Sequence, residues 1–312
     1  MTLQQLEYIV AVDNYRHFGK AATHCYVTQP SLSMQIQKLE AELKVIIFSR
    51  NSYPVTPTEL GALVIEQAKK ILTEAGAINE LIQHEKKVVD GYIRIGIIPT
   101  LAPYLLPLFL HGFIKKYPDV KLSISELTTE KIIKRLKNGT LDAGIMATPL
   151  NENGLVEEVM FYEEFVAYVS KKEKLFSKKY LLPGDIDINK LWLLEEGHCL
   201  RNQVMNFCEL QKSPAYEKHF EYETGSIETL KRFVEKSQGI TLLPELATLD
   251  MSASKKQMLR YFKSPAPARE LSIVTLKSFV KRKLIGILKE EIISSLPLSI
   301  LKKKDQKRME IE

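Results

Sequence analysis

Cysteine is scarce in this sequence: three thiols in 312 residues, an odd number that internal pairing cannot use up. That argues against the disulfide framework that staples small secreted domains. The six histidines are scattered and no Cys-x-x-Cys occurs, so no spacing suits a metal, and neither metal nor cofactor is expected. No apolar run reaches the roughly 18 residues that a membrane helix needs. The N-terminus also lacks the charged-then-apolar order of a signal peptide. A cytoplasmic location without membrane contact is therefore the default expectation. Charge of one sign is weaker than the net +6 suggests. Residues 1–90 are close to neutral, and the basic excess lies late, in Lys277, Lys281-Arg282-Lys283, Lys302-Lys303-Lys304 and Lys307-Arg308. Overall charge is thus poor ground for nucleic-acid binding, and residues 298–312 read as a disordered, solubilising basic tail.

What is present fits a soluble globular chain, 45% hydrophobic and 26% charged, long enough for two or three domains. Residues 1–60 read as three short helices and a wing. Leu3, Leu6, Ile9, Val10 and Ala11 form one inner face, and Ala21-Ala22 allow a second helix to approach closely. In the third helix Thr28 is a candidate N-cap and Pro30 suits the first turn. Leu32, Ile36, Leu39 and Leu43 share its buried face, which leaves Gln29, Ser31, Ser33, Gln35 and Lys38 outside. Short and planar polar groups of this kind hydrogen-bond base edges in a major groove. An ordinary solvated helix face would look similar. The order of parts favours a DNA reader, because Phe48-Ser49-Arg50-Asn51-Ser52-Tyr53-Pro54 follows as a wing whose Arg50 can reach phosphate or the minor groove. Cys25, beside Ala22, reads as a packing residue.

Together Ala21-Ala22, Val27-Thr28-Gln29-Pro30-Ser31-Leu32-Ser33, Leu39-Glu40, Phe48-Ser49-Arg50 and Leu60-Gly61 resemble the winged helix-turn-helix of LysR-type transcriptional regulators. Lys44 departs from the pattern, standing where that family usually has glycine, and Met34 stands where arginine is common.

A long helix is predicted from Thr58 to about Lys87. Val64, Ala68, Ile71, Ala75, Ile78 and Ile82 alternate steps of four and three, a repeat that suits pairing with a second copy. A helix packed on its own chain can carry the same stripe. The family resemblance implies a dimer, often a tetramer.

From Gly91 strands alternate with helices: Tyr92–Ile98, an apolar helix to Tyr117, Val120–Glu126, a helix to Lys137 and Leu141–Met146. This order predicts a parallel sheet whose ligands bind beyond the carboxyl ends of its strands, where Thr100 and Thr129 lie. The style repeats from Phe165 to Pro267, with strands at Phe165–Val169, Leu191–Leu194 and Phe220–Thr224, before the chain returns to the first lobe. The fold class expected is an α/β effector domain of two lobes, periplasmic-binding-protein-like, preceded by an all-α winged helix-turn-helix and a linker helix. The divisions expected are 1–58 for DNA binding, 59–88 for the linker, 89–163 with 269–297 for lobe I, 164–268 for lobe II and 298–312 for the tail.

The two remaining cysteines fall in Gly197-His198-Cys199-Leu200-Arg201-Asn202-Gln203 with Phe207-Cys208. Leu200, Val204, Phe207 and Cys208 make one apolar stripe, so Cys199 opens a helix. A helix N-terminus carries about +0.5 charge, and with His198 and Arg201 nearby it favours the thiolate. Over nine helical positions the chain rises about 13.5 Å, whereas a disulfide needs Cα atoms about 4.4–6.8 Å apart. Either the two thiols never meet, one capping and one in the core, or their bond is a conformational event.

Within the LysR-type family this motif is similar to that of peroxide-sensing members. The likeness extends to Gly96-Ile97-Ile98-Pro99-Thr100, Ser226-Ile227-Glu228-Thr229-Leu230 and Gly239-Ile240-Thr241-Leu242-Leu243-Pro244. It implies a peroxidatic Cys199, a resolving Cys208 and a peroxide pocket of Thr100, Thr129, His198 and Arg201. Arg269 ranks behind these because the spacing around it differs, and each threonine has helix capping as its plainer role. The implied partners are promoter DNA, further copies of the chain, RNA polymerase and hydrogen peroxide as the signal. Two other readings compete: a LysR-type regulator with a small metabolite between its lobes, and a thiol peroxidase. The peroxidase is disfavoured because a turnover enzyme gains nothing from a DNA reader.

Overall fold

The computed structural model describes residues 1–312 apart from 50–52, 86–88, 195–198, 208–223, 278, 280, 302–305 and 309–312. Two compact units divide the chain, Met1–Val89 and, the short segments 138–140 and 278–282 aside, everything from Asp90 onward.

The first unit opens on α1 (Leu3–Tyr15), α2 (Phe18–His24) and α3 (Gln29–Leu43). Thr2 and Gln5 form a capping box on α1. His17 caps α2, its Nδ1 accepting from the N–H groups of Gly19 and Lys20. Thr28 caps α3 as expected, accepting from Ser31 N–H with Pro30 in the first turn. Leu6, Ile9, Val12, Ala21, Ala22, Leu32, Ile36 and Leu39 close one core. The third helix ends at Lys44 with φ 55°, left-handed. Glycine is the usual residue in that conformation because it has no Cβ to clash, which accounts for the family's preference at this position. The wing follows as β1 (Phe48–Ser49) antiparallel to β2 (Thr56–Pro57).

The linker helix α4 runs from Glu59 to Glu85. The Leu60-Gly61 pair has a packing cause, since a Cβ on Gly61 would lie 2.0 Å from the Ile47 carbonyl oxygen. Part of the heptad stripe is covered within the unit itself. Val64, Ala68 and Ile71 pack on the unit's own core, and Lys69 pairs with Asp13 at 2.9 Å. Farther along, Ile78 is 61% exposed and stands open to a second copy.

The second unit begins with β3 (Gly91–Ile97), α5 (Ala102–Lys116), β4 (Val120–Glu126), α6 (Thr129–Lys137) and β5 (Ala143–Thr148). These strands are parallel in the order β4-β3-β5, as the alternation predicts. The long β6 (Leu155–Val169) follows, then β7 (Tyr180–Leu181), α7 (Cys199–Phe207), α8 (Ile227–Lys236) and β8 (Ile240–Pro244). Then come α9 (Ala253–Lys256), β9 (Leu259–Phe262), β10 (Ala266–Leu276) and α10 (Arg282–Ser294). The sheet is mixed rather than parallel throughout, because β10 lies antiparallel to both β5 and β6. The first part of β6 pairs with β10, and its last five residues, Phe165–Val169, pair with β8 and β9. Thus β6 and β10 are the two crossovers that join the lobes of an α/β effector domain.

Two predicted features differ. Of the strand expected at Leu191–Leu194, only Leu191 bridges to Ile240. Trp192 N–H still donates to the Ile240 carbonyl at 2.8 Å, but its own carbonyl accepts from a side chain, Thr241 Oγ1, at 2.9 Å. The tail expected to be disordered from 298 forms α11 (Leu298–Leu301), with Ile300 buried, and β11 (Gln306–Arg308), parallel to Ala266–Ala268. The lysines outweighed a short apolar run, Leu298 to Leu301, that the fold uses. Most of the strand predicted at Phe220–Thr224 lies outside the described residues.

Because Gly61 meets backbone rather than a movable side chain, Gly61→Ala is expected to cost about 2–4 kcal/mol of stability. Urea unfolding measures it, and a loss below about 0.5 kcal/mol would contradict the close approach.

Candidate functional site

The two threonines are placed by neighbouring strands. In register Ile97 faces Glu126, and Leu127 N–H donates to the Ile97 carbonyl, so the loops after β3 and β4 leave the sheet side by side. Thr100 lies in the turn before α5 and Thr129 opens α6, both buried. Thr100 does not cap its helix, for the N-cap residue is Leu101 and no side chain caps there. Its hydroxyl accepts instead from Arg269 Nη1 at 3.0 Å, and its carbonyl accepts from Nη2 at 3.3 Å.

Arg269, ranked behind the others on spacing, is 1% exposed on the crossover β10. Its Nε donates to Glu163 Oε2 at 2.8 Å, and Nη2 lies 2.7 Å from the same oxygen. The other carboxylate oxygen of Glu163 accepts from Leu246 N–H at 2.8 Å. Two buried charges therefore fix each other across paired strands, since Glu163 and Arg269 are register partners in β6 and β10. Glu163 was missed because it reads as half of an exposed Glu-Glu pair. Strand alternation, which sends Glu163 and Glu164 to opposite faces, was the available clue.

A second link runs through Tyr104 of α5. Its hydroxyl donates to Glu228 Oε1 at 2.8 Å, and Lys231 Nζ reaches the same oxygen at 2.6 Å. Lys231 also donates to the Ala247 carbonyl at 2.6 Å. The Tyr104 hydroxyl is pushed well above its ordinary pKa by burial and by Glu228, so it remains a donor. Burial works against the Glu228 carboxylate, but hydrogen bonds from Lys231 and Tyr104 outweigh it and its pKa is lowered. A lowered carboxylate contributes stability at neutral pH and loses it as pH falls through the folded-state value.

Cys199 opens α7, as its spacing predicts. Leu200 and Val204 anchor that helix in the core of the second lobe, with Leu194, Leu230 and Leu242. Arg201 Nη1 donates to the Leu194 carbonyl at 3.0 Å, tying the helix to the segment before it. Gln203, one turn after Cys199, was also missed. It is 0% exposed, and among the described residues neither its amide oxygen nor its nitrogen has a hydrogen-bond partner. An unpaired buried polar group costs on the order of 1–3 kcal/mol, a cost native structures carry mainly where function asks for it. His198 and Cys208 lie outside the described residues.

In the first unit Thr28, Gln29 and Pro30 are exposed at the start of α3, while Ser31 and Ser33 are half-buried. Gln35 is partly engaged, its Oε1 accepting from Gln5 Nε2 at 3.4 Å. Arg50 lies outside the described residues. No group of His, Cys, Asp and Glu that would hold a metal occurs among the described residues, and none of their helices is long and apolar enough to cross a membrane.

The model of the bacterial regulatory helix-turn-helix of the lysR family matches residues 3–62, and that of the LysR substrate binding domain matches residues 86–292. The chain belongs to the LysR family of transcriptional regulators. Its relatives point further. It is 34% identical over 274 residues to a hydrogen peroxide-inducible genes activator of Haemophilus influenzae, covering 88% of this chain and 90% of that one. The DNA-binding transcriptional dual regulator OxyR of Escherichia coli is 36% identical over 247 residues, 79% of this chain and 80% of that one. A full-length OxyR variant from Pseudomonas aeruginosa superposes with a TM-score of 0.77 at 33% identity, covering 94% of this chain and 98% of that one. This LysR-family chain is thus a DNA-binding regulator rather than an enzyme, and it resembles the OxyR proteins along most of its length.

Removing one partner of a buried ion pair strands the other charge. Arg269→Ala is therefore expected to cost about 3–5 kcal/mol, and adding Glu163→Gln is expected to return a large part of it. Urea unfolding of both variants tests this. A single variant within about 1 kcal/mol of the parent would show that the pair does not hold the crossover.

Proposed function

We propose that this regulator senses hydrogen peroxide, with Cys199 as the peroxidatic thiol and Cys208 as the resolving one. The observation that carries the reading is the position of Cys199 at the start of α7, in a unit that also holds an arginine firmly against Thr100. Helix N-terminal amides lower a thiol's pKa and so raise its thiolate fraction. Thr100, Thr129 and His198 would hold the peroxide, with Gln203 and Arg269 joining them. Arg201 would serve the pocket by anchoring the helix that carries the thiol.

In this mechanism the Cys199 thiolate attacks one peroxide oxygen and the O–O bond breaks. Hydroxide leaves and takes a proton to become water, and Cys199 becomes a sulfenic acid. The Cys208 thiolate then attacks that sulfur, an S–S bond forms and the sulfenic oxygen leaves as a second water. Two thiols are oxidised and one peroxide is reduced. Because α7 is helical from Cys199 to Phe207, closing the bond requires the helix to come apart. That would disturb Leu200 and Val204 in the core of lobe II, which turns oxidation into a change of shape.

The signal would pass from the lobes (89–163 with 269–297, and 164–268) to the linker at 59–88. The exposed part of α4 suits pairing with another copy, in a dimer or tetramer that reads promoter DNA in the cytoplasm and engages RNA polymerase. The peroxide-inducible names of its relatives support this reading.

Cys199→Ser should abolish a peroxide-dependent change in reporter transcription while the protein still binds DNA. A variant that keeps the full response would favour a metabolite bound between the lobes instead.

A further inference from the structure

Tyr26 stands in the turn between α2 and α3, and 95% of it is exposed, the highest value for a large apolar or aromatic side chain among the described residues. Its backbone is left-handed, φ 55°. Tyr26 N–H donates to the Thr23 carbonyl and Val27 N–H to that of Ala22, so the residue closes α2 where glycine is the usual choice. A tyrosine there is strained, and exposure means that it gains no packing in return. Its hydroxyl has no partner within the chain among the described residues, whereas that of Tyr15 is engaged by His24 Nδ1 at 3.1 Å. Two positions later Thr28 caps α3, whose first residues, Gln29 and Pro30, are exposed. In a helix-turn-helix that N-terminal end is the one that meets the bases, and the turn before it passes the groove edge.

We propose that Tyr26 is a DNA-contacting residue that lies on the backbone beside the groove α3 enters, its hydroxyl donating to a phosphate oxygen. Tyrosine is among the residues that make such positioning contacts, which carry no sequence information. The inference rests on the family's DNA binding and adds a residue that neither the helix face nor the wing supplies.

Full-length Tyr26→Gly and Tyr26→Phe variants would be titrated by fluorescence anisotropy with a mixed-sequence duplex of about 60 base pairs, a probe suited to a sequence-independent contact. The glycine variant is expected to match or exceed the parent in urea unfolding and to keep its oligomeric size, while its DNA affinity falls about tenfold. The phenylalanine variant is expected to lose part of that affinity. A glycine variant that binds as well as the parent would overturn the proposal, and a phenylalanine variant at parental affinity would overturn the phosphate bond. A parent that fails to bind any duplex would refute the DNA reading itself and is distinguishable from either result.

Discussion

A guanidinium and a carboxylate sealed together at the lobe crossover, Arg269 with Glu163, govern how the rest of the second unit fits. Burying two charges costs several kcal/mol each, and their attraction roughly offsets that cost only in good geometry. Such a pair is therefore better read as a fixture than as a source of stability. It fixes β6 to β10 at matched register and aims Arg269 at Thr100. It also holds Leu246 N–H in the second lobe. The neighbouring Ala247 carbonyl is held by Lys231, which shares Glu228 with Tyr104 of α5. Hydrogen bonds thus run from the turn at Thr100 through both lobes and return to the helix that follows it.

Against that rigid frame, α7 is a short element. Its apolar anchors, Leu200 and Val204, fill core positions, and fully burying each contributes about 2 kcal/mol. One of its polar residues, Gln203, is buried at a loss. On the proposed mechanism α7, held by Leu200, Val204 and the Arg201 bond to the Leu194 carbonyl, would open while the lobes stay folded.

Much of this was legible from residue order. The helix-turn-helix came from capping and apolar spacing, and Thr28, Pro30 and the Ala21-Ala22 pair stand where that spacing puts them. The βα alternation gave the parallel strands, and the start of α7 followed from the stripe of Leu200 and Val204. What stayed hidden depends on residues distant in the chain. Glu163 and Arg269 meet only because two long strands pair, and local spacing does not reveal that. The heptad stripe of α4 did not reveal that Val64, Ala68 and Ile71 pack on the unit's own core, since periodicity shows that a face is apolar but not what covers it. Ile300 in the tail was masked by the lysines around it.

On the proposed mechanism Cys199 and Cys208 form a bond on oxidation, and α7 must open to allow it. The most direct measurement is peptide mapping by mass spectrometry after one equivalent of hydrogen peroxide, with hydrogen exchange followed on the same sample. A Cys199–Cys208 linkage accompanied by lost amide protection across 199–207 is the result this mechanism requires. Free thiols at both positions after treatment would contradict it, as would a linkage formed with the protection of α7 unchanged.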